Sequence, residues 1–240
     1  MTTRHATGFL TGESARPARR WAALLAIGAV QWPWLLRSLS GGGAAARDAL
    51  LRRLRLPDEA LPALGSWKAD AGFLALVTDH ILSRRPKLVV EFGAGATTLV
   101  AARALELAGG GRLLSFEQHA DFATATRGRL AEYGLRAEIR AVPLAPIEGR
   151  PGLWYDHGPL PRGIDLMLVD GPPWTVHPLT RDGAASLFGK LAPAGTIMLD
   201  DAARPGERLV ARRWRRDWPG MDFRFVRAGS KGTLLGTRRA

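Results

Sequence analysis

Five acidic residues and one histidine stand where the chain could do chemistry. Glu91 ends the apolar run Leu88 to Val90 and is followed by Gly93 and Gly95 in the stretch LVVEFGAGATT. Glu117 ends a second run, LLSF, 26 positions after Glu91. Asp170 closes IDLMLV, the pair Asp200 and Asp201 closes TIML, and His177 follows Asp170 in the loop GPPWTVH. Glycines after a strand let a ligand lie directly on backbone, and a helix starting at Ala96 would aim its free N–H groups at that ligand. A carboxylate at Glu91 suits a cationic amine, and one at Glu117 can accept both hydroxyls of a ribose. Together they point to a nucleoside that carries a positive charge. The glycines alone would also suit a dinucleotide, but the third glycine of that fingerprint is missing.

Placing these groups together requires a particular alternation of elements. The pattern predicts a helix from Trp67 to about Ser83, with Phe73, Leu74, Val77, Ile81 and Leu82 on one side. It continues with strand 87–92, helix 96–108, strand 112–116, helix 120–132 and strand 136–142. Strand 164–169, helix 180–191, strand 195–199 and a helix at about 204–216 follow. Crossovers of this length imply an α/β fold with a doubly wound parallel sheet and ligands at the carboxyl ends of its strands. The last two strands, Met221 to Arg227 and Gly232 to Thr237, are joined by the short AGSK, so at least one runs antiparallel.

The segments EFGAGATT, SFE, IDLMLVDGPPW and AGTIMLDD resemble, in order, the first, second, fourth-strand and fifth-strand motifs of the class I S-adenosylmethionine-dependent methyltransferases, over about residues 67–240. The resemblance implies a Rossmann-like seven-stranded sheet in the order 3-2-1-4-5-7-6 with strand 7 antiparallel, which matches the antiparallel pairing read independently from the terminal hairpin. It also implies S-adenosylmethionine as cofactor. Glu91, Gly93 and Gly95 would hold its methionine part and Glu117 its ribose, with Ala94, Thr97 and Asp170 also binding the cofactor. The third strand ends AVPLAP, without the acid that many members place near adenine.

In such a sheet Asp170, Asp200 and Asp201 end neighbouring strands and could converge. Three oxygen ligands favour Mg²⁺ or another hard divalent cation, which would lower the pKa of a substrate hydroxyl. The arrangement resembles the metal-dependent catechol and caffeoyl-CoA type O-methyltransferases, with Asp201 where they often carry Asn. Otherwise Asp170 orients substrate or cofactor while Asp200 and Asp201 cap the next helix. Asp170, Asp200 and His177 are the catalytic candidates, His177 as general base. Arg181 either clamps an anionic substrate or is a solvated helix residue. Trp67, Trp154, Tyr155 and Trp174 are candidate substrate walls. The expected activity is O-methylation of a small-molecule or sugar-like acceptor. Its alternatives are a nucleic-acid N-methyltransferase and a cofactor-binding module without turnover. DGPPW approaches the D/N-P-P-Y/W motif of methyltransferases acting on planar nitrogens, but Gly171 interrupts it.

The 240 residues bury a core large enough for one main domain, 61–240, preceded by a basic and apolar extension, 1–60. The absence of cysteine excludes disulfides and thiolate chemistry and agrees with a cytoplasmic location. The net charge of +12 is uneven: residues 1–60 carry nine basic and four acidic side chains, and residues 204–240 carry eleven and three. Such ends suit a membrane surface or nucleic acid, or are solvated arginine-rich faces. Trp21 to Leu36 holds no charge over 16 residues, about 24 Å as helix, and Pro33 interrupts it. It reads as an interfacial membrane anchor, a signal peptide or a packed helix. Gly41 to Gly43 read as a flexible break, followed by a short basic helix from Asp48 to Leu56. Nothing in the sequence sets an oligomeric state.

Overall fold

The computed structural model describes residues 41–61, 64 and 69–239, together with 30, 33, 34 and 36. Trp67 and most of Trp21 to Leu36 lie outside these. Among the described residues no helix is long and apolar enough to cross a membrane.

The chain opens with α1 (Ala44–Leu54) and α2 (Ala71–Arg84), then alternates β1 (Leu88–Phe92), α3 (Ala96–Leu107), β2 (Arg112–Glu117), α4 (Ala120–Glu132) and β3 (Glu138–Ala141). A small hairpin, β4 (Leu144–Pro146) with β5 (Leu153–Tyr155), comes next. There follow β6 (Ile164–Val169), a 3-10 helix (Thr180–Lys190), β7 (Leu191–Leu199), α5 (Pro205–Asp217), β8 (Met221–Val226) and β9 (Thr233–Arg238). Seven strands form one sheet in the order β3-β2-β1-β6-β7-β9-β8, with β9 antiparallel to both its neighbours. Leaving out the hairpin strands, this is 3-2-1-4-5-7-6 with strand 7 antiparallel.

Both faces of the sheet are apolar because successive strand residues point to opposite sides. Val89, Leu113, Leu166 and Leu168 join a core with side chains of α1 to α4. Val90, Phe92, Met167 and Val169 join a second core with Trp154, Phe188 and Trp214 from β5, the 3-10 helix and α5. This two-sided burial leaves only strand ends and loops for a ligand.

Four local expectations are corrected. The β4–β5 hairpin has no counterpart in the sequence reading, since Pro143, Pro146, Pro151 and Gly152 obscure two strands of three residues each. The helix expected at 180–191 is 3-10, and β7 begins at Leu191 rather than Gly195. A register shift accommodates this: Ala194 has φ 60°, and a Cβ on Gly195 would stand 2.7 Å from Ile164 O. α2 starts at Ala71, where the Asp70 carboxylate accepts from Phe73 N–H as its cap. Finally, Gly41 and Gly42 are packed rather than part of a loose break, while Gly43 is exposed. Gly41 O accepts from Ala71 N–H, and a Cβ on Gly42 would meet Ala71 N at 3.1 Å. α1 itself buries Leu50, Leu51 and Leu54 in the core of α2 and α3, and Arg103 of α3 donates to Leu54 O.

Candidate active site

β1 and β2 run parallel with Glu91 beside Ser115 and Phe92 beside Phe116, so Glu91 and Glu117 reach the same end of the sheet. Gly93 leaves β1 with φ 100°, its N–H donating to Phe116 O, and a Cβ there would stand 2.7 Å from Gly171 N. The turn therefore packs directly against the loop after β6. A Cβ on Gly95 would meet no protein atom within 4 Å, so that face of the turn looks outward from the protein.

Glu91 lies beneath this turn with no exposure. Its Oε2 accepts 2.6 Å hydrogen bonds from Thr98 Oγ1 and from Ser115 Oγ, and Thr98 Oγ1 accepts in turn from Gly95 N–H at 2.9 Å. The carboxyl thus shapes the glycine turn through Thr98. Burial pushes its pKa up to about 8. Glu117 Oε2 accepts from Ala94 N–H at 3.1 Å and Oε1 from His119 N–H at 2.9 Å, which fixes the carboxyl at the rim of the turn. Burial raises it to about 7. Four buried polar atoms on the surrounding elements lack a hydrogen-bond partner: Thr97 Oγ1, Gln118 Oε1, Tyr155 Oη and Trp174 Nε1. They are polar groups that a bound ligand could satisfy.

The second half of the site is a cluster of charges between β6, β7 and α5. Asp170, Asp200 and Asp201 bring carboxylate oxygens within 4.8 Å of one another, a convergence that the sequence allows. Three cations come with them. Arg181 Nη1 lies 3.2 Å from Asp201 Oδ2, Arg204 also donates to Asp201 Oδ2 and to Glu207 Oε1, and Lys231 Nζ is 3.5 Å from Asp201 Oδ1 and 4.0 Å from Asp200 Oδ2. Arg181 also donates to the backbone carbonyls of Pro172, Asp170 and Asp200. It is thereby neither a solvated residue nor directed at an anionic substrate. Against burial, which would raise it, Arg204, Lys231 and Arg181 hold the Asp201 carboxyl below its usual range. Burial with the neighbouring Asp201 and Asp170 pushes Asp200 well above its usual range. Asp170 is also raised by burial, despite Arg181. Its side chain is 16% exposed against 7% for Asp201 and 1% for Asp200, so Asp170 is the most accessible carboxylate of the three.

A divalent ion fits this cluster poorly. An ion at about 2.1 Å from either Asp201 oxygen would stand within about 6 Å of a positive charge, because Arg181 is 3.2 Å from one oxygen and Lys231 3.5 Å from the other. The capping alternative does not hold either: no side chain caps α5, whose first residue is Pro205.

The loop after β6 folds back over the hairpin. His177 packs on Gly152, and its Nδ1 accepts from Leu179 N–H at 3.1 Å. The lone pair that a general base would use is thus already engaged on the neutral ring. Trp154 and Tyr155 are core residues, not substrate walls: Trp154 packs against Phe92 and beneath Gly183, and Tyr155 Oη lies against Gly171. Lys231, which the sequence reading left aside, is carried by a turn tied to Asp70. That carboxylate accepts from Ser230 N–H, Ser230 Oγ and Lys231 N–H. Only Asp70 in front of a helix hinted at its first role, and nothing local announced the second.

No protein-family model matches the chain, and no curated protein matches it in sequence. In structure it is similar to a methyltransferase from Geobacter sulfurreducens, at 21% identity and TM-score 0.54 over 82% of this chain and 88% of that one. It is also similar to an O-methyltransferase from Bacillus cereus in complex with SAH, at 16% identity and TM-score 0.55 over 91% and 97%. A third is an O-methyltransferase from Streptomyces achromogenes involved in tomaymycin synthesis, in complex with SAM, at 18% identity and TM-score 0.50 over 94% and 100%. The fold is that of the class I methyltransferases.

Proposed function

We propose that the chain is an S-adenosylmethionine-dependent methyltransferase acting on a hydroxyl oxygen of a small-molecule acceptor. The observation that carries this reading is the pair Glu91 and Glu117 at the ends of adjacent strands, one shaping the glycine turn from beneath and the other standing at its rim. The neighbouring unpartnered Thr97 Oγ1 and Gln118 Oε1 support it, as donor and acceptor for the cofactor's polar ends.

When bound, S-adenosylmethionine supplies a sulfonium methyl that passes to the acceptor oxygen while the S–C electron pair returns to sulfur, leaving a neutral thioether. The protein's part is placement. Glu117 would hold the ribose hydroxyls, and the N-terminus of α3 with Thr97 would hold the cofactor's carboxylate. Glu91 keeps the turn in shape through Thr98. Asp170, steadied by Arg181, accepts the hydrogen bond of the acceptor hydroxyl and takes its proton as the methyl arrives.

The nucleic-acid alternative needs an Asp or Asn immediately before the two prolines. Gly171 occupies that position, with its N–H donated to Phe92 O, and Asp170 is turned toward Arg181 instead. Incubating the full chain with methyl-labelled S-adenosylmethionine and a panel of phenols, catechols, sugars and RNA tests the proposal. Label on a hydroxyl compound and none on RNA is the expected result. Label on RNA alone would reverse the choice of acceptor.

A further inference from the structure

The charge cluster behind Asp170 already brings three cations to carboxylates that could share a metal, although both Asp200 oxygens are buried without a hydrogen-bond donor and meet only Lys231, at 4.0 Å. Four acids, Asp170, Asp200, Asp201 and Glu207, meet three cations, Arg181, Arg204 and Lys231, with every ion-pair distance at 4.0 Å or less. The cations come from three separate places: the 3-10 helix, the residue before α5, and the turn before β9. Two of them are fixed by further bonds. Arg181 holds three backbone carbonyls, and the turn that carries Lys231 is held by the buried Asp70 carboxylate. Gly229 in that turn has φ 60° and is packed against Asp70, so the turn cannot easily swing aside. The cations are built in from several directions.

We propose that Arg181, Arg204 and Lys231 take the place of a divalent cation, so that this site works without metal and Arg181 is the positioning residue for Asp170. The idea rests on the methyltransferase reading only for its link to turnover; the charge replacement itself is measurable with no cofactor present. A guanidinium fork that grips the carbonyls of Asp170 and Asp200 fixes the ends of two strands, which a metal ion held by side chains alone would not do. In exchange, the site cannot bind two oxygens of one acceptor to a shared ion, and acceptors with a single hydroxyl should serve as well as vicinal diols.

Mn²⁺ titration of the full chain, followed by electron paramagnetic resonance of the free ion, tests the replacement. The wild-type chain is expected to leave millimolar Mn²⁺ unbound at this cluster and to keep the same melting temperature with Mg²⁺ or with chelator. Lys231→Met removes one cation, and Mn²⁺ affinity should then rise by more than about tenfold and fall again when Asp200→Asn is added. Should Lys231→Met fail to fold, the wild-type titration decides alone, with Asp201→Asn as its control. Micromolar Mn²⁺ binding by wild type that is lost in Asp201→Asn would overturn the proposal. Loss of S-adenosylmethionine binding would instead count against the methyltransferase reading and leave the charge replacement standing.

Discussion

Arg181 Nη1 stands 3.2 Å from Asp201 Oδ2 inside the protein, with side chains only 5% and 7% exposed. A buried cation adds little by being paired and costs much when removed; Arg204 and Lys231 would still face Asp201, so the loss falls on the three backbone carbonyls that Arg181 also holds. Arg181→Met should therefore lower unfolding free energy by about 3–5 kcal/mol in urea titrations. Arg181→Lys should recover part of this, since it restores charge but not the fork that holds three carbonyls. A neutral outcome for Arg181→Met would mean that the cluster relaxes or hydrates.

Thr98 links Glu91 to the glycine turn, donating to Glu91 Oε2 and accepting from Gly95 N–H. Thr98→Val keeps the shape and removes both bonds. We expect a loss of about 1–3 kcal/mol in stability together with weaker binding of the demethylated cofactor. If stability drops while binding is untouched, the turn does not depend on Glu91.

The two glycines of the turn should behave differently. Gly93 has φ 100° and its added Cβ would press on Gly171 N, so Gly93→Ala should cost at least about 2 kcal/mol in stability. A Cβ at Gly95 meets no protein atom within 4 Å, so Gly95→Val should fold with nearly the wild-type melting temperature, yet bind no cofactor. Cofactor binding by Gly95→Val would place the ligand elsewhere.

Burial sets the pH behaviour of the two glutamates, at about 8 for Glu91 and about 7 for Glu117. Both are raised above the unfolded value, so the folded protein keeps protons that the unfolded chain has released, and stability should fall as pH rises from about 4.5 to 8. Binding through an ionised Glu117 should change in the opposite sense. Affinity for the demethylated cofactor should increase by about tenfold between pH 6 and 8, and calorimetry on Glu117→Gln should show a flat profile. A flat wild-type profile would remove Glu117 from the ribose.

Much of this was legible along the chain because strand ends announce themselves locally. An apolar run stopped by an acid and glycines placed Glu91, Gly93 and Glu117, and the close of two further runs placed Asp170, Asp200 and Asp201. The terminal hairpin gave the antiparallel strand without any motif. What escaped depends on contacts across the sequence. Arg181, Arg204 and Lys231 meet only after folding, and an arginine in a polar-looking helix reads as solvated until its surroundings are known. The β4–β5 strands are too short and too rich in flanking proline to show alternation, so Trp154 and Tyr155 read as exposed walls rather than core. His177 had the right residue type in the right loop, and only its neighbour Leu179 reveals where its lone pair points.

The central claim is that the glycine turn between Glu91 and Glu117 binds S-adenosylmethionine and its demethylated product. Isothermal titration calorimetry of the demethylated product into the full-length chain, with Glu117→Ala and Gly95→Val alongside, tests it most directly. We expect saturable one-to-one binding to wild type that both substitutions abolish while the variants remain folded. Absence of binding by the folded wild type, or equal binding by all three, would contradict it.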